Sequence, residues 1–163
     1  MRNEPAVWGM MNRMEDLLHA VGRILAEAEA DIAARKPVCK ASGRCCKFEA
    51  YGHRMYVTAA EAAYFAATRV QPVAEGRDAG VKVSLPQFFG QAKPAGCPYQ
   101  VEGMCTAREA RPLGCRVYFC DENAQAWQGE VYEKYHARLK ALHEELGVEY
   151  RYMEWRAALR EMM

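Results

Sequence analysis

Two cysteine-rich stretches stand in the middle of the chain: CKASGRCC at residues 39–46 and CPYQVEGMCTAREARPLGCRVYFC at residues 97–120. Together they contain every cysteine of the 163-residue sequence: Cys39, Cys45, Cys46, Cys97, Cys105, Cys115 and Cys120. An odd number of cysteines cannot pair completely in disulfides. One or two would be interpreted as small buried apolar residues, but seven in two tight groups favour metal binding or redox chemistry. We therefore expect a cysteine-rich centre over residues 39–120.

A long helix is predicted before this centre. Apolar residues recur there at spacings of three and four, and Pro37 ends the pattern, so the helix is expected over residues 4–36. Its apolar face consists of Val7, Met11, Met14, Leu18, Val21, Leu25, Ala28 and Ile32, widened by Met10, Leu17 and Ile24. Such a helix either packs in a plain bundle or, as the less favoured alternative, pairs with a second copy of the chain as a homodimer.

Helices are also predicted after the centre. One begins at Asp121 and stops at Gly147, and a short one covers residues 152–162. The predicted fold class is therefore mainly α, with a small irregular or β metal-binding centre framed by the long N-terminal helix and by C-terminal helices over residues 122–163. The length of the chain fits a single domain over residues 1–163.

The part between the two cysteine groups carries weaker patterns. Aromatic and β-branched residues at 47–57 predict a short strand or hairpin. The capping box Thr58-Ala-Ala-Glu61 predicts a helix over residues 59–68. Three prolines and three glycines at 71–95 predict a long loop, with a candidate strand at 81–85.

The composition excludes several classes of function. Lys and Arg number 22 and Asp and Glu 21, a formal charge of +1, which argues against a dedicated nucleic-acid clamp. The longest uncharged run, residues 83–92, is about half of what a membrane-spanning helix needs. The N-terminus lacks the apolar core of a signal peptide, so we expect a cytoplasmic protein without membrane contact.

The cysteine spacing narrows the choice of metal. Thiolates are soft ligands that suit zinc, cuprous copper and iron–sulfur clusters. Structural zinc sites usually use cysteines separated by two to four residues, and only Cys115 and Cys120 approach that spacing. Iron–sulfur clusters accept looser spacings. The preferred four ligands are Cys39, Cys45 or Cys46, Cys97 or Cys105, and Cys115, with Cys120 as a further candidate.

Two arginines are the candidate cofactor-binding residues. Arg111 and Arg116 flank Cys115. Either could balance the negative charge of a thiolate centre or bind a substrate carboxylate. Solvated surface arginines are the equally weighted alternative.

The four histidines contribute little to the prediction. His53 lies seven residues after Cys46 and is a candidate ligand of lower rank. The other three, on predicted helices, are expected to be solvated: His19, His136 and His143.

The same cysteine stretches resemble a known family, the bacterial YkgJ-type cysteine-cluster proteins. Residues 39–46 resemble its CxxCGxCC signature, and residues 97–99 its CP-aromatic segment. Residues 105–116 resemble its block Cys-x-Ile-Tyr-Glu-x-Arg-Pro-x-x-Cys-Arg, with Ala107 and Arg108 in place of the usual isoleucine and tyrosine. The resemblance covers about residues 39–120 and implies metal binding, with zinc and iron–sulfur both proposed.

One departure from the family signature bears on the metal site. Ser42 stands where the family has cysteine, which removes one thiolate and the only CxxC pair. A metal site that uses this position in relatives is therefore expected to be lost or weakened here.

Three hypotheses about function follow. The first is a protein that holds an iron–sulfur cluster, [4Fe-4S] in the preferred version, with a redox or group-transfer role left open. The second is a zinc-binding structural or interaction module without catalysis. The third is a thiol enzyme or redox sensor that uses Cys45 and Cys46, with Arg44 and Lys47 lowering a thiol pKa. The sequence identifies no substrate and no protein partner.

Overall fold

A computed structural model describes residues 4–40, 42–69, 96–102 and 104–162, with side chains from residue 12 onward. Its elements, in chain order, are α1 (Glu4–Ala34), a 3-10 helix (Arg44–Cys46), α2 (Phe48–Tyr51), β1 (Tyr56–Thr58), α3 (Ala59–Thr68), β2 (Gln100–Val101), β3 (Met104–Cys105), α4 (Leu113–Val117), α5 (Glu122–Gln125), α6 (Gln128–Glu145), β4 (Tyr152–Glu154) and α7 (Trp155–Met162). The mainly helical prediction, with a long N-terminal helix and helices at the C-terminal end, is confirmed. The predicted loop at 71–95 and its strand at 81–85 lie outside the described residues. None of the described helices combines the length and apolarity that a bilayer crossing demands.

The long helix α1 forms the base of the first core cluster. Its buried residues are Leu17, Ala20, Val21, Ile24, Leu25, Ala28 and Ile32, and they pack against α3, α4 and α6. This confirms the predicted apolar face from Leu17 onward except at Leu18, which is half-buried and is not part of the cluster. Met14 was also predicted on that face, but it is 49% exposed. Residues 12–16 are all exposed, so none of the described elements covers this part of the helix.

A second core cluster lies around α3 and α7 and supports the cysteines. Its large members are Phe48, Phe65, Trp155 and Leu159, and the rings of Phe65 and Trp155 meet edge to face at 4.7 Å. Three cysteines pack against this cluster: Cys97, Cys105 and Cys115. The second cluster is therefore the apolar floor on which the cysteine-rich centre rests.

Two short sheets correct the sequence prediction. Strand β1 pairs antiparallel with β4, with Val57 opposite Met153, so residues 152–154 form a strand where a helix was predicted to begin. Strands β2 and β3 form a small hairpin that was not predicted. The first pairing joins segments far apart in the chain, and local periodicity carries no signal for such a contact.

Two other boundaries also differ from the prediction. The strand or hairpin at 47–57 is reduced to β1, because residues 48–51 form the short helix α2, which ends at Gly52 in a left-handed conformation with φ of 66°. The helix predicted from Asp121 is split into α5 and α6, with Trp127 at φ −125° between them.

The histidine predictions hold only in part. His19 is exposed, as expected. His143 is only 1% exposed, which contradicts the prediction that it is solvated. Its Nδ1 lies 3.3 Å from the carbonyl oxygen of Val148 and 3.0 Å from that of Glu149, so the chain folds back over it after α6.

The predicted capping box at the start of α3 is confirmed and extends further than expected. Glu61 is 3% exposed, and its carboxylate accepts hydrogen bonds from the Thr58 amide at 2.8 Å and the Thr58 hydroxyl at 2.9 Å. It also accepts one from the Leu113 amide at 2.9 Å, which ties the start of α4 to the start of α3. Burial raises the pKa of this carboxyl, while the donated hydrogen bonds lower it.

Replacing Glu61 by alanine is expected to lower the free energy of unfolding by about 3 kcal/mol, since two buried amide donors lose their acceptor. Urea unfolding measures this change. A loss below about 1 kcal/mol, the size of a single exposed cap, would contradict it.

Candidate metal centre

All seven cysteines line one cavity of about 100 Å³. The first group reaches it from the segment after α1 and from the 3-10 helix. The second reaches it from Cys97, the β2–β3 hairpin, α4 and the residues after α4. The tertiary structure thus brings together two groups that are separated by fifty residues in the sequence, and all seven thiols are free. The predicted cysteine-rich centre is therefore a single place in the fold.

Three of the cysteines lie close together in the cavity wall. The Sγ atoms of Cys45 and Cys46 are 3.7 Å apart, and Cys97 lies beside Cys46. The Cys97 amide donates a hydrogen bond of 2.8 Å to the carbonyl oxygen of Cys46. This backbone contact fixes Cys97 against the first cysteine group.

A glycine makes that contact geometrically feasible. Gly96 has φ of 103°, a conformation that side chains rarely permit. A Cβ atom built at this position would lie 2.6 Å from the Cys46 carbonyl oxygen, too close for any real contact. The absence of a side chain at Gly96 therefore lets the two cysteine groups meet.

Contacts among Cys45, Cys46 and Cys97 shift the pKa values of their thiols in opposite directions. The contact with the Cys46 thiol lowers the pKa of Cys45 to about 6 and that of Cys97 to about 7. The same contacts, together with burial, raise the pKa of Cys46. The positive charges of Arg111 and Arg108 lower the pKa of Cys45 further. Two sulfurs of this trio therefore ionise readily, as ligands of a soft metal must.

Two further cysteines lie on the apolar floor. Cys105 belongs to β3 and Cys115 to α4, and both pack against the second core cluster. Burial raises the pKa of both thiols, for Cys115 well above its ordinary value. Without a metal these two thiols are neutral at physiological pH.

The remaining two cysteines form the rim. Cys39 is exposed, and Cys120 is half-buried. The Sγ of Cys120 lies 3.6 Å from the Oγ of Ser42. The position at which the family resemblance places a cysteine is thus occupied by a serine in contact with a thiol that comes from the other cysteine group.

The two predicted cofactor-binding arginines have different places. Arg111 lines the cavity and its guanidinium donates to the Cys115 carbonyl at 3.5 Å. Arg116 does not line it: it is 9% exposed and binds the carbonyl oxygens of Arg111 and Glu109 at 2.7 and 2.6 Å, and Glu29 of α1 at 2.9 Å. Arg116 therefore holds the loop before α4 against α1.

Two further cations line the cavity, and the sequence analysis did not single them out: Lys40 and Arg108. Lys40 directly follows Cys39, and Arg108 lies three residues after Cys105. Proximity in sequence to a cysteine could have identified both.

The candidate ligand His53 is used differently. Its ring stacks on Tyr118 at 5.5 Å and 8°, and its Nε2 lies 3.2 Å from the carbonyl oxygen of Cys45. His53 therefore contacts the 3-10 helix and does not line the cavity.

The donor set and the present geometry can be compared with what a metal requires. Seven thiols around one small cavity are the chemistry of a soft-metal centre. In the part of the chain that the structure describes, no three Cys, His, Asp or Glu side chains are already placed to hold a single ion. The residue types around the cavity therefore suit a group bound by thiolates. The described side chains are not arranged in a coordination geometry.

Comparison with known proteins finds no protein-family model, no characterised protein and no solved structure that matches this chain.

Replacing Arg116 by alanine is expected to lower the free energy of unfolding by about 2–3 kcal/mol, because two carbonyl oxygens lose a charged donor in a buried place. The matched control is Arg138→Ala. Arg138 also pairs with a glutamate of α1, but both partners are exposed, so its loss is expected to be within about 0.5 kcal/mol. Equal losses in the two variants would contradict the buried role of Arg116.

Proposed function

We propose that this protein is a metal-binding protein and that its cysteine-lined cavity holds an iron–sulfur cluster, preferably [4Fe-4S]. The observation that carries the proposal is the convergence of all seven cysteines on one cavity from two distant parts of the chain. The resemblance of residues 39–120 to a family of metal-binding cysteine-cluster proteins supports the same conclusion.

The size and polarity of the cavity favour an inorganic occupant. Its volume of about 100 Å³ is below the roughly 300–1,000 Å³ of ordinary organic ligand sites. Phe65, Tyr99 and Trp155 line it beside the sulfurs and would shield a bound group from water. Thiolate centres carry negative charge, and Arg111, Arg108 and Lys40 are placed to balance it.

The number and spread of the thiols favour a cluster over a single zinc ion. Zinc takes four ligands, usually from closely spaced pairs, whereas the cysteines here are widely spaced in sequence. In a cluster each thiolate binds its own iron, so the ligands stay further apart. Such a cluster would supply electron transfer or, at an iron without a thiolate, group-transfer chemistry. The chain itself supplies the thiolates, the apolar floor and the compensating cations.

One observation favours zinc as the second candidate. Sulfurs bound to a tetrahedral zinc at about 2.3 Å lie about 3.8 Å from each other. The Sγ atoms of Cys45 and Cys46 are 3.7 Å apart. These two thiols could therefore share one zinc ion, in a structural centre without catalysis.

The test is the content of iron, acid-labile sulfide and zinc in protein purified without oxygen, with an absorption spectrum. About four irons and four sulfides per chain, with a broad visible band, are expected. One or two zinc ions per chain in a colourless protein would contradict the iron–sulfur cluster and favour the zinc centre. Substoichiometric amounts of every metal, before and after anaerobic reconstitution with iron and sulfide, would overturn metal binding altogether.

A further inference from the structure

A second cavity, of about 360 Å³, lies on the other side of Tyr118 from the cysteines. Its volume is within the range of roughly 300–1,000 Å³ that is typical of small-molecule sites. It is bounded by β1 and β4 on one side and by α4 and the first two turns of α6 on the other. We call it the tyrosine cavity, because Tyr56, Tyr118, Tyr132 and Tyr152 form its walls.

The tyrosine wall is held in place before any ligand arrives. Tyr56 and Tyr152 are on the paired strands β1 and β4, and their rings stack at 5.3 Å and 22°. The hydroxyl groups of Tyr132 and Tyr152 are 2.7 Å apart, in hydrogen-bond contact across the cavity wall. Flat, preorganised aromatic faces of this kind bind other flat rings by stacking.

A glycine of α6 borders the cavity. Gly129 lies in the first turn of the helix, and a Cβ atom built there would meet nothing within 4 Å. Glycine destabilises a helix relative to alanine, and the packing of the described residues does not require it at this position. A larger side chain can therefore be placed beside the cavity at Gly129 without displacing a neighbour.

The cavity also carries two side chains of opposite charge. Arg54 precedes β1, and Glu133 lies one turn after Gly129 on α6. Both are exposed, and neither belongs to an ion pair among the described residues. A ligand that carries both an anionic and a cationic group would satisfy both side chains.

We propose that the tyrosine cavity binds a small aromatic molecule with both a carboxylate and an amine, of the chemical class of the free aromatic amino acids. The aromatic ring stacks on the wall made by Tyr56 and Tyr152. The carboxylate pairs with Arg54 and the ammonium group with Glu133. The proposal is independent of what the cysteine cavity holds, because its residues are a separate set apart from Tyr118.

The test is isothermal titration of the full-length protein with L-phenylalanine. Binding is expected at millimolar concentration or below, and Gly129→Leu should abolish it because the leucine side chain fills the free volume. The matched control is Glu130→Leu, which places the same side chain on the neighbouring exposed residue outside the cavity and should leave the affinity unchanged. Both variants should unfold at or above the denaturant concentration of the unaltered protein, since leucine is a good helix former.

The charged groups are tested with two analogues. 3-Phenylpropionate lacks the amine and 2-phenylethylamine lacks the carboxylate, and each is expected to bind about tenfold more weakly than L-phenylalanine, as loss of one charge-assisted contact implies. Arg54→Gln should remove the difference between L-phenylalanine and 2-phenylethylamine. Absence of binding, unchanged affinity in Gly129→Leu, or equal affinity for the three compounds would each overturn the proposal.

Discussion

The Gly96→Ala variant is expected to lose about 3 kcal/mol of unfolding free energy. Because the proposed metal centre draws on both cysteine groups, the variant should also lose most of the metal that this centre is proposed to hold. Two costs combine at this position. The φ of 103° is unfavourable for alanine, and the new Cβ would lie 2.6 Å from the Cys46 carbonyl oxygen. Because that neighbour is backbone, it cannot swing aside, and the hydrogen bond between the Cys97 amide and Cys46 must break. The measurements are urea unfolding and metal content of the purified variant.

Gly52→Ala is the matched control. Gly52 also has a positive φ, of 66°, but a Cβ there meets nothing within 4 Å. Only the conformational cost of about 1–2 kcal/mol is expected, with metal content unchanged. If both variants retained the same amount of metal, the contact of Gly96 with Cys46 would not be what brings the two cysteine groups together.

The second large effect is expected at Cys115. The Cys115→Ser variant should lose about 2–3 kcal/mol of unfolding free energy, because a polar hydroxyl replaces a thiol that packs against the apolar floor. If Cys115 is a ligand of the proposed metal centre, the metal content of the variant falls as well. Cys120→Ser should change stability by less than about 0.5 kcal/mol, because Cys120 lies at the rim beside the Ser42 hydroxyl, which can bond to the new one.

The comparison of these two variants separates the effect of packing against the second core cluster, which Cys115 does, from that of a place at the rim, where Cys120 lies. Unfolding midpoints and metal analysis of both proteins, prepared side by side, provide the test. Equal midpoints and equal metal content would contradict the different roles that the structure gives to the two thiols.

The helical part of the fold was predictable because its signals are local. The apolar spacing from Leu17 to Ile32 marks one face of α1, and Thr58 with Glu61 marks the start of α3. Each pattern reflects contacts within a few turns of the same helix. The prediction was wrong at Met14, because periodicity shows which face is apolar and not how far a neighbouring element extends along it.

The β pairing and the roles of several polar residues were not predictable in this way. Strand β4 forms because Met153 lies opposite Val57, a partner that its own neighbours in sequence do not reveal. Burial of His143 likewise depends on the chain folding back after α6. Arg111 and Arg116 look alike in sequence, and both pair with Glu29 of α1, at 3.8 and 2.9 Å. Only the structure shows that Arg116 also binds two backbone carbonyl oxygens of the loop before α4, whereas Arg111 lines the cavity.

The sequence by itself determined that this protein is mainly helical and that its seven cysteines fall in two groups, because helix periodicity and residue type are local properties of the chain. Only the tertiary structure decided that both cysteine groups line a single cavity and that Cys97 contacts Cys46. It also decided that a second cavity shares Tyr118 with the first. These arrangements depend on contacts between distant segments, such as the Cys46 carbonyl with the Cys97 amide and β1 with β4. Side-chain spacing along one chain carries no record of such contacts, since they are set by how the helices and loops pack in three dimensions.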